Sequence, residues 1–264
     1  MKKILYIAMM FATLCSCSKE IDLDYNDIEP VPVIEGHLSD GEAVVTITKS
    51  RNMSDSTKTP GIQVEDVRII LPDGNEVPLS FSNGNYRNNN KIDLEVGSTY
   101  TLKVTMDGVE YTGSSTLQPK VEISEPVFRW VNLMDWYQVL EIETTNVPDD
   151  QQFYGWARIH RNGKIYFTDA AGTKGNYPFE IGLYYDSDME NDEDMILNDG
   201  DTLLIEVRTI DEPVFKYIYE YNSTKVNPRQ FFKTSVENKV CMGFFAVYAS
   251  ETREVIYKKT AHEE

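Results

Sequence analysis

The stretch Thr99-Tyr100-Thr101-Leu102-Lys103-Val104-Thr105-Met106-Asp107-Gly108-Val109-Glu110 decides the fold. Tyr100, Leu102, Val104 and Met106 alternate with Thr101, Lys103 and Thr105. That period of two puts apolar side chains on one face of a strand and polar ones on the other. Asp107-Gly108 accepts the positive φ of a type I′ turn, so a hairpin is expected between Met106 and Val109.

The same pattern extends upstream. Strand-like runs fall at Val31 to Leu38, Ala43 to Lys49, Asp66 to Leu71 and Glu76 to Phe81, with turns at Pro72-Asp73-Gly74-Asn75 and Asn83-Gly84. Short strands with regular turns predict an immunoglobulin- or transthyretin-like β-sandwich over residues 28–118. Gln118-Pro119-Lys120 reads as a junction, and residues 119–264 as a second β-rich domain. There, Leu140 and Ile142 alternate with Glu141 and Glu143, and Asn162-Gly163 marks a hairpin within Trp156 to Phe167. Leu203, Ile205 and Val207 mark a further strand, and Gly243 to Ala249 and Glu254 to Lys258 a closing pair. One short helix is expected after Asp211, which can cap it, with Pro213 tolerated in its first turn. Val214, Phe215, Ile218 and Tyr221 would form its packing stripe. The fold class is thus all-β with one helix.

The N-terminus reads differently. Met1-Lys2-Lys3 is a positive start, and Ile4 to Leu14 is an uncharged, mostly apolar run of eleven residues. A bilayer-spanning helix needs about 20 apolar residues, whereas a signal peptide core is this short. Leu14-Cys15-Ser16-Cys17 matches a lipobox, with Leu at minus three and a small residue before the cysteine. Residues 1–16 are therefore expected to be a lipoprotein signal peptide and Cys17 the lipidated residue. Residues 17–27 would be an acidic tether. Cys15 would leave with the leader, and Cys241, between Val240 and Met242, would remain as a buried structural thiol. Loss of Lys2 and Lys3 takes the net charge from −18 to −20. Such a chain disfavours nucleic acid and a polybasic membrane contact, and admits cationic partners or metal ions.

The residues give little sign of catalysis. Only His37, His160 and His262 are available, and no zinc-protease helix, nucleophile elbow or phosphate-cradling loop is present. The expectation is no catalytic residues, no cofactor and no enzyme. The segment Asp186-Ser187-Asp188-Met189-Glu190-Asn191-Asp192-Glu193-Asp194 is the one candidate metal site. Asp186, Asp188, Glu190, Asp192 and Asp194 could offer oxygens to calcium, although neither EF-hand register fits, and a solvated acidic loop is the simpler reading. Among 16 Tyr and 3 Trp, the pair Trp136 and Tyr137 lies in a polar context and is the candidate ligand-binding surface. Phe128, Trp130, Trp156, Tyr184 and Tyr185 could join such a platform, but most of the aromatics are expected to fill strands and cores.

Several segments together resemble a Bacteroidota outer-membrane lipoprotein family catalogued as domain of unknown function 4249. They are Lys19 to Leu23, Val33-Ile34-Glu35-Gly36, Val44 to Ser50, Asn198-Asp199-Gly200-Asp201, Asn227-Pro228, Asn238 and Gly243 to Ser250. Near Lys239-Val240-Cys241 the chain departs from the family, whose members tend to have glycines there. The resemblance implies a lipid-anchored protein on the outer membrane, facing the cell exterior, beside a TonB-dependent receptor. It implies an accessory of nutrient uptake and supplies no ligand or functional residue. A stand-alone glycan- or surface-binding lipoprotein and a hydrolase are the alternatives.

Overall fold

A computed structural model describes residues 29–51, 60–132, 136–183, 197–223 and 229–258. The chain divides into two compact units. One is made of Val31–Ser50 and Thr57–Glu264 and holds all the described strands and the helix. Of the other, Met1–Pro30 and Arg51–Ser56, only Glu29, Pro30 and Arg51 are among the described residues. Residues 1–27, with the expected signal peptide, lipidated Cys17 and acidic tether, lie outside the described residues.

The first half of the chain forms β1 (Pro32–Ser39), β2 (Glu42–Lys49), β3 (Asp66–Ile70), β4 (Glu76–Pro78), β5 (Ser80–Ser82), β6 (Asn85–Arg87), β7 (Thr99–Met106) and β8 (Val109–Thr116). The second forms β9 (Val127–Asn132), β10 (Trp136–Glu143), β11 (Gln152–Arg161), β12 (Lys164–Lys174), β13 (Pro178–Gly182), β14 (Thr202–Thr209), helix α1 (Glu212–Asn222), β15 (Lys233–Thr234), β16 (Met242–Val247) and β17 (Ala249–Ile256). Among the described residues the fold is all-β with one short helix.

Two sheets, β16-β1-β2-β6-β5 and β15-β8-β7-β3-β4, close over one core. The alternation of β7 supplies Tyr100, Leu102, Val104 and Met106, and β1 and β2 supply Ile34, Leu38, Val45 and Ile47. The β7–β8 turn sits at Asp107 (φ 52°) and Gly108 (φ 72°), where both positive angles match a type I′ turn. The run Glu76 to Phe81, read as one strand, is two. β4 pairs with β3, and after buried Leu79 the chain crosses to the other sheet, where β5 pairs with β6.

This sandwich is not built from residues 28–118 alone. β16 lies parallel to β1, from Val33↔Met242 to Leu38↔Val247, and β15 pairs with β8. Phe232, Cys241, Phe245 and Val247 enter the same core. A boundary at 118/119 therefore separates two halves of the sequence but not two sets of packed strands, because a parallel partner can come from any distance along the chain. The second sandwich packs β13-β10-β9 on β12-β11-β14-β17 around Leu140, Ile142, Ile159, Phe179, Ile205, Val207 and Tyr257. A single residue, Tyr248, separates the two destinations of the C-terminal pair: β16 completes the first sandwich and β17 edges the second.

Helix α1 starts where the Asp211 side chain accepts a hydrogen bond from Val214 N–H. Its buried stripe is Val214, Tyr217 and Ile218. Tyr221, expected on that stripe, is 62% exposed and stacks on Tyr217 instead. The true stripe follows the i, i+3, i+4 spacing from Val214, which reaches Tyr217 and Ile218 first.

Candidate functional site

Two places gather polar chemistry. The first is the junction between the sandwiches, on the outer faces of sheets β16-β1 and β11-β14. On β11, Trp156, Arg158 and His160 point away from the core that takes Ala157 and Ile159. Opposite them on β14 stand Arg208, Glu206 and Leu204. Arg208 is 6% exposed. Its guanidinium lies 4.9 Å from the Trp156 ring centroid and 4.2 Å from that of Tyr248, and bonds Glu206 at 2.9 Å. Arg158 stacks on the Trp156 ring at 5.0 Å. Flat, weakly hydrated guanidinium suits such ring contacts where an ammonium would not.

His37 of β1 closes the cluster. It stacks on Trp156 and meets Phe244 and Tyr248 edge-on, and its Nδ1 has no hydrogen-bond partner among the described residues. Burial, reinforced by the charges of Arg208 and Arg158, lowers its pKa from 6.5 to about 3. The unfolded chain then binds a proton that the fold refuses between those values, so stability falls as pH drops through this window. Between pH 7 and pH 5, above the carboxylate range, the loss is about 2 kcal/mol at roughly 1.4 kcal/mol per unit below 6.5. His37→Phe should flatten that slope in thermal melts at the two pH values. An unchanged slope would show that another group carries it. His160 is half-buried 3.6 Å from Glu206; burial, with the charge of Arg158, lowers its pKa.

The second place is an open cavity of about 450 Å³ on the outer face of β7 and β8. Thr101, Thr112 and Ser114 form its floor, because they occupy the polar positions of the deciding hairpin. Thr101 and Ser114 sit in register with their hydroxyls 2.8 Å apart. Lys216 from α1, and Arg229 and Lys233 from the segment leading into β15, supply its cations. Tyr217 and Phe231 wall it. The Tyr217 hydroxyl accepts the Gly243 N–H at 2.7 Å, so this wall is tied to β16.

The residues singled out from sequence fare unequally. The acidic run Asp186, Asp188, Glu190, Asp192 and Asp194 lies outside the described residues. Trp136 and Tyr137 lie on β10, in register with Asn132 and Val131 of β9. Trp156 is buried at the junction, as expected of most aromatics. Cys241 is 2% exposed, and burial pushes its thiol up to about 12, far from a reactive thiolate. Among the described residues no three His, Cys, Asp or Glu side chains gather as a metal site. The arginine–aromatic junction and the Arg229–Lys233 wall were not found from sequence. The alternation of Trp156, Arg158 and His160 with Ala157 and Ile159 was the available signal for the first.

Against this geometry, the family comparison is decisive for kinship. The model described as domain of unknown function (DUF4249) matches residues 18–254. The chain belongs to this family. The DUF4249 match spans both sandwiches, the helix and β16, so the strand that crosses into the first sandwich lies within the matched residues. It begins immediately after Cys17. No curated protein matches the chain.

Proposed function

We propose that this DUF4249 chain is a non-catalytic lipoprotein, anchored through Cys17 to the outer membrane of a Bacteroidota cell, facing the exterior. In that place it serves a TonB-dependent nutrient transporter as an accessory subunit. The observation that carries this reading is the N-terminal sequence: a charged start, an eleven-residue apolar core and Leu14-Cys15-Ser16-Cys17, directly before the start of the family match. Two or more acyl chains make such an anchor stable, at about 0.8 kcal/mol per buried methylene. Anchoring both partners in one membrane raises their effective concentration, so a modest interface suffices for a lasting complex.

The chemistry of the described site favours binding over turnover. His37 is enclosed by rings and stays neutral down to about pH 3, far from the range in which a general base works. The Cys241 thiol is held protonated in a core. A stand-alone glycan-binding lipoprotein is the second reading, favoured by the hydroxyl-floored cavity beside α1.

The test is a pull-down of the tagged full-length protein from outer membranes in mild detergent. A stoichiometric TonB-dependent receptor is the expected partner. Replacing Cys17 with Ser should release the protein from the membrane fraction. Recovery of the acylated protein without any receptor would sink the accessory reading and leave the stand-alone one.

A further inference from the structure

We propose that the cavity between β7–β8 and α1 is a binding site for an acidic saccharide, a hydroxyl-rich ring bearing a carboxylate or sulfate. The assignment holds whatever anchors the chain. It rests first on charge. The whole chain carries 43 acidic residues against 25 basic ones. The cavity lining reverses that balance, with Lys216, Arg229 and Lys233 against Glu212 alone. In a strongly negative molecule, a recess lined by three cations is where an anion is drawn and held.

The cations are available. Lys233 has no ion-pair partner among the described residues. Lys216 pairs with Glu212 at 2.7 Å, with both side chains about half exposed. Arg229 pairs with Glu220 at 2.8 Å with its own side chain 75% exposed. An exposed pair such as Lys216–Glu212 contributes little, so an incoming oxyanion can replace it at small cost, whereas Glu220, 29% exposed, also holds the Arg229 Nε and backbone N–H and keeps its place. Glu220 takes the Nε and Nη2 side of the Arg229 guanidinium, and the Nη1 end, which makes no bond to Glu220, is the part that can meet an oxyanion.

The floor decides the class of ligand. Thr101, Thr112 and Ser114 present neighbouring hydroxyls able to donate and accept, and Gln230, whose Nε2 already donates to the Phe232 and Lys239 carbonyls, adds an amide oxygen that accepts. Vicinal hydroxyls of a sugar answer such a row. The Phe231 and Tyr217 rings give the apolar face of a sugar ring a wall. A volume of about 450 Å³ lies in the range of small-ligand sites. An extended acidic peptide fits less well, because the outer edge of β8 is already taken by β15, and strand addition is blocked there.

The test is calorimetric titration of the full-length protein in detergent with trigalacturonate, a sulfated glycosaminoglycan disaccharide, neutral maltotriose and triglutamate. At least one acidic saccharide should bind saturably, with maltotriose weaker by about tenfold or more. The variant Arg229→Gln/Lys233→Gln should lose about tenfold or more in affinity for that saccharide while its melting temperature stays near the parent's. Lys216→Gln, on the exposed face of α1, is the second variant and should also weaken binding. Which saccharide binds separates carboxylate from sulfate recognition. The proposal is overturned if neither acidic saccharide binds at millimolar concentration. Equal binding by both variants and the parent, or tighter binding of triglutamate than of either saccharide, would overturn it too.

Discussion

Gly243→Ala should lower the melting temperature by about 10 °C, through a loss of about 3 kcal/mol or more. Gly243 has φ of 99°, a region that side-chain-bearing residues avoid. A Cβ there would lie 1.9 Å from the Ile34 carbonyl oxygen and 2.9 Å from the Ile34 nitrogen. These are backbone atoms of β1, paired in register with Gly243, so no side chain can swing away to relieve the contact. The Gly243 N–H is also held by the Tyr217 hydroxyl, which fixes the peptide's orientation from the other side. Only movement of β16 away from β1 can make room, and that movement opens the core at Phe245 and Val247. Thermal denaturation followed by circular dichroism measures the effect. A melting temperature within about 2 °C of the parent's would mean that the β1–β16 contact is not as close as the structure has it.

Asp211→Ala should destabilise by about 2–4 kcal/mol, the sum of a lost helix cap and a buried N–H left without an acceptor. Asp211 is 7% exposed. One carboxylate oxygen accepts the Val214 N–H at 3.2 Å and caps α1; the other accepts the Thr116 N–H at 2.7 Å at the end of β8. A single side chain thus pins the helix to the first sandwich. Its burial raises the carboxyl pKa, opposed by those same hydrogen bonds. A raised folded pKa means that this group by itself favours the fold more at acid pH, the sign opposite to that of His37. Asp211→Asn keeps one acceptor without the buried charge and should recover part of the loss. Urea denaturation of the three proteins gives the comparison. An Ala variant as stable as the parent would show that water replaces both bonds.

Much of the first sandwich was legible because its information is local. Tyr100 to Met106 carry the strand period, Asp107-Gly108 the turn, and Asp211 with Pro213 the start of the helix. The floor of the saccharide cavity follows from the same alternation, since Thr101, Thr112 and Ser114 are the polar positions of that hairpin. The rest depends on which distant segments meet. Nothing within Met242 to Val247 states that its partner is β1, 200 residues earlier in round terms, since parallel pairing leaves no turn to read. The run Trp156-Ala157-Arg158-Ile159-His160 announces a polar face. That Arg208 would slide between Trp156 and Tyr248, with His37 behind them, depends on the register of β14 and on the approach of the first sandwich. The Arg229–Lys233 wall has no period at all, and its charges become a site only where they face Lys216.

The return of β16 to β1 also sets a timetable for folding. A chain made from its N-terminus presents β1 long before residues 242–247 exist. Until then the β1 edge stands bare and its core lacks Phe245 and Val247. Exposed strand edges of this kind invite pairing with other chains. Contacts of high sequence separation also form slowly, because the intervening loop must close first. The first sandwich therefore cannot be finished as an independent nascent domain. It is completed last, near the end of synthesis, so the first-made strands have the longest need of protection by chaperones.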